Sequence, residues 1–85
     1  SYTVLIKKQA KKMLQSLPRA EKCRIAEKIV FLGYDPDDIT LDIKKLHGEP
    51  YFRLWVGKWR IIFHREDEIK IISIEKIKTR GDVYK

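Results

Sequence analysis

The stretch Tyr51-Phe52-Arg53-Leu54-Trp55-Val56-Gly57-Lys58-Trp59-Arg60-Ile61-Ile62-Phe63 decides the fold. Its side chains alternate with the period of 2 that marks a strand. Gly57-Lys58 divides it as a two-residue turn with glycine first, the type II′ hairpin pattern. That turn sets the register. Val56 faces Trp59, Leu54 faces Ile61 and Phe52 faces Phe63, so six apolar residues share one face and form the core side. On the other face Trp55 opposes Arg60, Arg53 opposes Ile62 and Tyr51 opposes His64. Two readings fit this second face: a solvated surface of long amphipathic side chains, or a platform for single-stranded nucleic acid. In the latter, arginines grip phosphates and aromatic rings stack on unpaired bases. Clustered like charges also favour an anion that neutralises them.

Outward from the hairpin, Glu66-Asp67 makes the next turn and Ile69–Ile77 a third strand. On the N-terminal side, Tyr2–Ile6 is β-prone. Ala10, Met13, Leu14 and Leu17 then recur at helical spacing, with Lys7, Lys8, Lys11 and Lys12 on the solvated side. Pro18 suits the first turn of a second helix. Ile25, Ile29 and Leu32 mark its buried side, with Ala26 and Val30 beside them, and Gly33 is placed for a C-terminal cap. The two helices form a hairpin joined near Ser16–Arg19, and Asp35-Pro36-Asp37-Asp38 is a loop. The expected fold is therefore α+β in two layers: an N-terminal strand, an α-helical hairpin, then an antiparallel β-meander.

The 85 residues are expected to form one domain, residues 1–85, with one modest core. A hydrophobic fraction of 44% excludes a disordered chain. No apolar run reaches membrane-spanning length and no secretory signal pattern is seen, so a cytoplasmic protein without a membrane partner is expected. Cys23 has no second thiol for a disulfide or metal pair and is expected to be a small packing residue of the second helix. His47 and His64 stand alone, and no metal or small-molecule cofactor is expected. Nineteen Lys and Arg against twelve Asp and Glu give +7, which points to a polyanionic partner. Lys76, Lys78, Arg80 and Tyr84 add to the basic end of the chain. The segment Thr79–Lys85 either folds Arg80 and Tyr84 over the cationic face or is a tail whose tyrosine packs.

Taken together, Leu46-His47-Gly48, the hairpin Tyr51–Phe63 and the end Ile77-Lys78-Thr79-Arg80-Gly81-Asp82-Val83-Tyr84 resemble the RelE/ParE superfamily of toxins over nearly the whole chain. The resemblance implies a microbial-RNase-like (RelE-like) fold. It also implies a metal-independent endoribonuclease that cuts messenger RNA in the ribosomal A site, belonging to a type II toxin–antitoxin module. Arg53 then matches a cation at the scissile phosphate, Arg60 the arginine that stabilises phosphate charge, Arg80 the C-terminal active-site arginine, and Tyr84 the tyrosine that stacks on the substrate or takes its proton. Lys44, Lys45, Trp55, Lys58 and Lys78 are the expected RNA- or ribosome-binding residues. The implied partners are mRNA on the ribosome and a cognate antitoxin with an acidic or extended segment.

Three positions depart from the family pattern. Trp55 stands where the family has a second Arg or Lys, which removes a candidate acid or base and adds a stacking surface. Trp59 replaces a tyrosine, and Thr79 stands where many relatives have histidine. His64, as an imidazole on the arginine face, is the rival proton acceptor to Tyr84. Other functions remain open: a ParE-like gyrase poison, an RNA- or ribosome-binding member without catalysis, and a basic adaptor for an acidic peptide.

Overall fold

The computed structural model describes residues 1–79. Its elements are β1 (Thr3–Ile6), α1 (Lys8–Gln15), α2 (Arg19–Tyr34), β2 (Ile43–Lys45), β3 (Phe52–Val56), β4 (Trp59–Glu66) and β5 (Ile71–Thr79). The strands form one mixed sheet in the order β1-β5-β4-β3-β2. β1 runs parallel to β5, and the other neighbours are antiparallel. The two helices cover one face, which gives the expected α+β architecture.

The hairpin has the register its turn predicts: Val56 pairs with Trp59, Leu54 with Ile61 and Phe52 with Phe63. Gly57 has φ +60°, and Lys70 is the one non-glycine described residue with positive φ. Lys58 therefore has negative φ, which selects type II′ over type I′. Leu54, Val56, Trp59, Ile61 and Phe63 are buried with Ile72, Ile74 and Ile77 of β5 against Ala10, Ile25, Ile29 and Leu32 of the helices. Met13, Leu14 and Leu17 pack half-buried on that core. The Trp59 indole N–H donates to Glu21 Oε2 at 2.9 Å, which satisfies its polar atom at the core margin.

Several local expectations are corrected. Pro18 is the N-cap of α2, not part of its first turn. Its ψ of 149° is extended, and its carbonyl accepts the Lys22 N–H at 2.9 Å. Gly33 lies inside α2, which continues to Tyr34 with Asp35 as C-cap. A Cβ at Gly33 would sit 2.6 Å from Val4 Cγ2, and the Gly33 carbonyl accepts the Tyr2 N–H at 2.7 Å. Glycine is thus present because β1 crosses the helix at close range. Cys23 is exposed, and Val30 is 65% exposed. A helix turns about 100° per residue, which carries both away from the Ile25–Ile29–Leu32 side. The third strand begins at Ile71, because β4 extends to Glu66 and residues 67–70 close the turn, with Lys70 at φ 55°. β2 was not expected as a strand. Three residues, two of them lysine, carry no legible period. Among the described residues, no helix is long and apolar enough to cross a membrane.

Candidate nucleic-acid interface

The uncovered sheet face is built from rows that run across the strands. In the first row Trp55 pairs with Arg60, and Arg60 with Lys78. In the second, Lys44 pairs with Arg53, Arg53 with Ile62, and Ile62 with Lys76. Paired residues point to the same side of a sheet, so Lys44, Arg53, Arg60, Lys76 and Lys78 gather on one face. The third row is less charged: His64 pairs with Ser73, Ser73 with Leu5, and Tyr51 meets His64 edge-on with ring centroids 6.1 Å apart.

A register shift at Ile62/Phe63 reshapes this face. Ile62 pairs with Lys76 but Phe63 with Ile74, leaving Glu75 as the extra residue of a β-bulge. Ile74 and Ile77 both stay in the core, so Glu75 and Lys76 both turn to the open face. Glu75 then borders a cavity of about 340 Å³ with Tyr51, Ile62, Arg60 and Lys78.

The two central arginines each keep one unsatisfied donor among the described residues. Arg53 and Arg60 are each half-buried, and the Nε of each is hidden from water without a hydrogen-bond partner among the described residues. Among the described residues neither lies in a salt bridge. An unsatisfied buried polar group costs about 1–3 kcal/mol, more when it is charged. Arg53 is steadied by an aromatic ring, its guanidinium carbon lying 5.2 Å from the centroid of Trp55. Arg65, on the helix side of β4, shows the opposite treatment. It donates to Asp67 Oδ1 at 2.7 Å, Asp37 Oδ1 at 3.0 Å and the Tyr2 hydroxyl at 3.2 Å. The bond to Asp37 is the main reason its pKa is raised further, and the bond from Arg65 is the main reason Asp67 is held below the usual carboxylate value.

Of the expected site residues, the structure brings Lys44, Arg53, Trp55, Arg60 and Lys78 together. It separates two others. Lys45 pairs with the core-side Phe52 and so faces away from Lys44. Lys58 lies in the turn with Nζ 3.6 Å from Glu21 Oε1 and 5.8 Å from the Trp59 ring centroid, on the helix side. Arg80 and Tyr84 lie outside the described residues. His64 shares the open face but sits beyond the arginine rows, with Nδ1 3.9 Å from Glu66 Oε1. His47 is exposed in the β2–β3 loop. Sequence reasoning missed Glu75. The signal was available: core isoleucines at 72, 74 and 77 break parity, as a bulge requires.

No protein-family model matches this sequence, and no curated protein matches it either. Solved structures do match. An archaeal RelE from Pyrococcus horikoshii OT3, solved as a RelE–RelB complex, is 38% identical, with 94% of this chain and 96% of that chain covered and a TM-score of 0.82. The RelE of a RelB–RelE antitoxin–toxin complex from Methanococcus jannaschii is 27% identical, covers 94% of each chain and has a TM-score of 0.77. Isolated E. coli RelE, 19% identical over 99% of this chain and 92% of that chain, shares the fold with a TM-score of 0.78. The two-layer α+β architecture, two helices backing a mixed five-strand sheet, matches that of the RelE structures. The chain belongs to the RelE toxin family.

Proposed function

We propose that this chain is the toxin of a type II toxin–antitoxin module and acts as a ribosome-dependent mRNA endoribonuclease that cuts codons in the A site. The observation that carries the reading is the pair Arg53 and Arg60: two half-buried arginines on one open face that among the described residues form no salt bridge and whose Nε donors have no acceptor. An RNA phosphate supplies acceptors and negative charge to these two arginines.

RNA carries its own nucleophile. The 2′-OH attacks the adjacent phosphorus, the O2′–P bond forms, and the P–O5′ bond breaks. The products are a 2′,3′-cyclic phosphate and a 5′-OH. The 2′-OH proton passes to a base and the departing 5′ oxygen takes a proton. Arg53 and Arg60 stabilise the charge that builds on the phosphate, a task suited to fixed cations that need no reorganisation. Lys44 and Lys78 hold the neighbouring backbone. Arg80 joins the phosphate site, and Tyr84 stacks on the substrate or accepts the 2′-OH proton, roles that rest on the resemblance of the chain's end to the family. No step calls on a metal or cofactor.

The RelE structures from P. horikoshii and M. jannaschii are complexes with RelB. By analogy, the partners here are mRNA on the ribosome and a cognate antitoxin whose acidic or extended segment occupies the cationic face. The place of action is the cytoplasm, where ribosomes are. The test is 5′-end mapping of a defined mRNA with the purified chain, with and without programmed ribosomes, beside Arg60→Ala and Arg80→Ala. Cuts inside A-site codons, present only with ribosomes and lost in the variants, are expected. An uncut message in both conditions would sink the reading.

A further inference from the structure

The bulge that turns Glu75 outward has no use in the phosphate chemistry just described. It sets a half-buried carboxylate among cations. Glu75 and Glu49 both border the 340 Å³ cavity with Arg60 and Lys78, yet neither carboxylate is in a salt bridge among the described residues. Tyr51, buttressed by His64, and Ile62 supply the flat apolar part of the lining. The volume falls within the range of about 300–1,000 Å³ typical of small-molecule sites. A cavity with an aromatic wall, free carboxylate acceptors and phosphate-binding cations at its side fits a nucleotide, with the base inside and the phosphate on the arginine row.

The acceptors decide which base. Guanine presents two adjacent donors, N1–H and the N2 amino group, which one carboxylate accepts together. Adenine and cytosine place a ring-nitrogen lone pair beside their amino group, and that lone pair repels a carboxylate oxygen. Uracil offers a single N–H between two carbonyls. We infer that the Glu75 cavity is a subsite for an unpaired guanine next to the phosphate held by Arg60 and Lys78, with Glu75 as its specificity-determining residue. The inference rests on the RNA-cutting reading for its biological substrate, but binding alone can test it.

The purified chain is titrated with labelled hexauridylates that carry one guanine, one inosine or one 7-deazaguanine, and binding is read by fluorescence anisotropy. Inosine lacks only the N2 amino group; 7-deazaguanine keeps both donors. Guanine and 7-deazaguanine are expected to bind alike and at least about tenfold tighter than inosine or uridine alone, the scale of a good bidentate base contact. Glu75→Gln should compress the ratio of guanine to uridine affinity, read within each protein, to within about twofold, and Glu75→Asp should restore part of it. The same panel placed in A-site codons on programmed ribosomes is then read for cutting. Cutting without any guanine preference, or a preference that survives Glu75→Gln, overturns the subsite and leaves the nuclease standing. Guanine-selective binding that depends on Glu75, without cutting, does the reverse.

Discussion

The guanidinium of Arg53 lies over the indole of Trp55, 5.2 Å from the ring centroid, two residues along the same strand face. Trp55 occupies the position where the family pattern has a second cation, and its effect is to hold the first one in place. A cation–π contact of this kind is worth about 0.5–1 kcal/mol at an exposed site. Trp55→Ala should therefore weaken single-stranded RNA binding by roughly two- to fivefold, and Trp55→Phe by less. Anisotropy titrations of the variants with one oligouridylate decide this. Equal affinity for all three proteins would remove Trp55 from the site.

Arg53 and Arg60 each hold a buried Nε with no hydrogen-bond partner among the described residues, an arrangement that costs stability. Arg60→Met keeps most of the side-chain volume and removes the unsatisfied donor and the charge. It should raise the stability of the free protein by about 1 kcal/mol, which for a domain of this size is roughly 4–8 °C in Tm. Added inorganic phosphate should raise the Tm of the wild type and have a much smaller effect on an Arg53→Met/Arg60→Met double variant. A thermal scan across phosphate concentrations checks both statements.

Arg65 ties three distant segments together: Tyr2 before β1, Asp37 in the loop after α2, and Asp67 in the β4–β5 turn. Asp67 is held below the ordinary carboxylate value, chiefly by its bond from Arg65 and then by the Tyr2 hydroxyl. Asp38 is lowered as well, by the Thr40 backbone and side-chain bonds. A carboxylate whose pKa is depressed in the folded state contributes stability above its unfolded pKa of about 4, and loses it as pH falls through the lower folded value. The urea midpoint should thus drop on acidification from about pH 5 to pH 3, and Asp67→Asn should flatten that slope. Arg65→Met should cost about 2 kcal/mol at neutral pH, because Arg65 is only 14% exposed and its loss uncouples three segments.

Gly33 and Val4 form a pair in which one side chain fits only because the other is absent. The 2.6 Å approach means Gly33→Ala must displace Val4 or the strand that carries it. The single variant should lose about 1–3 kcal/mol. Val4→Ala in the same chain should recover part of that loss although it is itself a large-to-small change. A double-mutant cycle in urea reads the coupling, and strictly additive losses would refute it.

What the sequence determined by itself was local. The Gly57 turn and the period-2 alternation on either side of it set the register, and the register sorted Leu54, Ile61 and Phe63 to the core and Arg53, Arg60 and Trp55 to the open face. Turn geometry and side-chain alternation act between residues a few positions apart, so a linear reading suffices for them. The helical stripe of Ile25, Ile29 and Leu32 was legible for the same reason. Only the tertiary structure decided the rest, because it depends on residues far apart in the chain. Arg53, Arg60 and Arg65 look alike in sequence, but Arg65 meets Asp37 and Tyr2 across 28 and 63 residues, while the other two form no salt bridge among the described residues. Lys44 and Lys45 are neighbours in the chain and lie on opposite faces once β2 pairs with β3. Glu75 reaches the open face through one extra residue in the β4–β5 ladder, and Gly33 is glycine because of a strand thirty residues earlier. Charge and period are properties of a segment, whereas whether a charge is neutralised depends on which segments the fold packs against it.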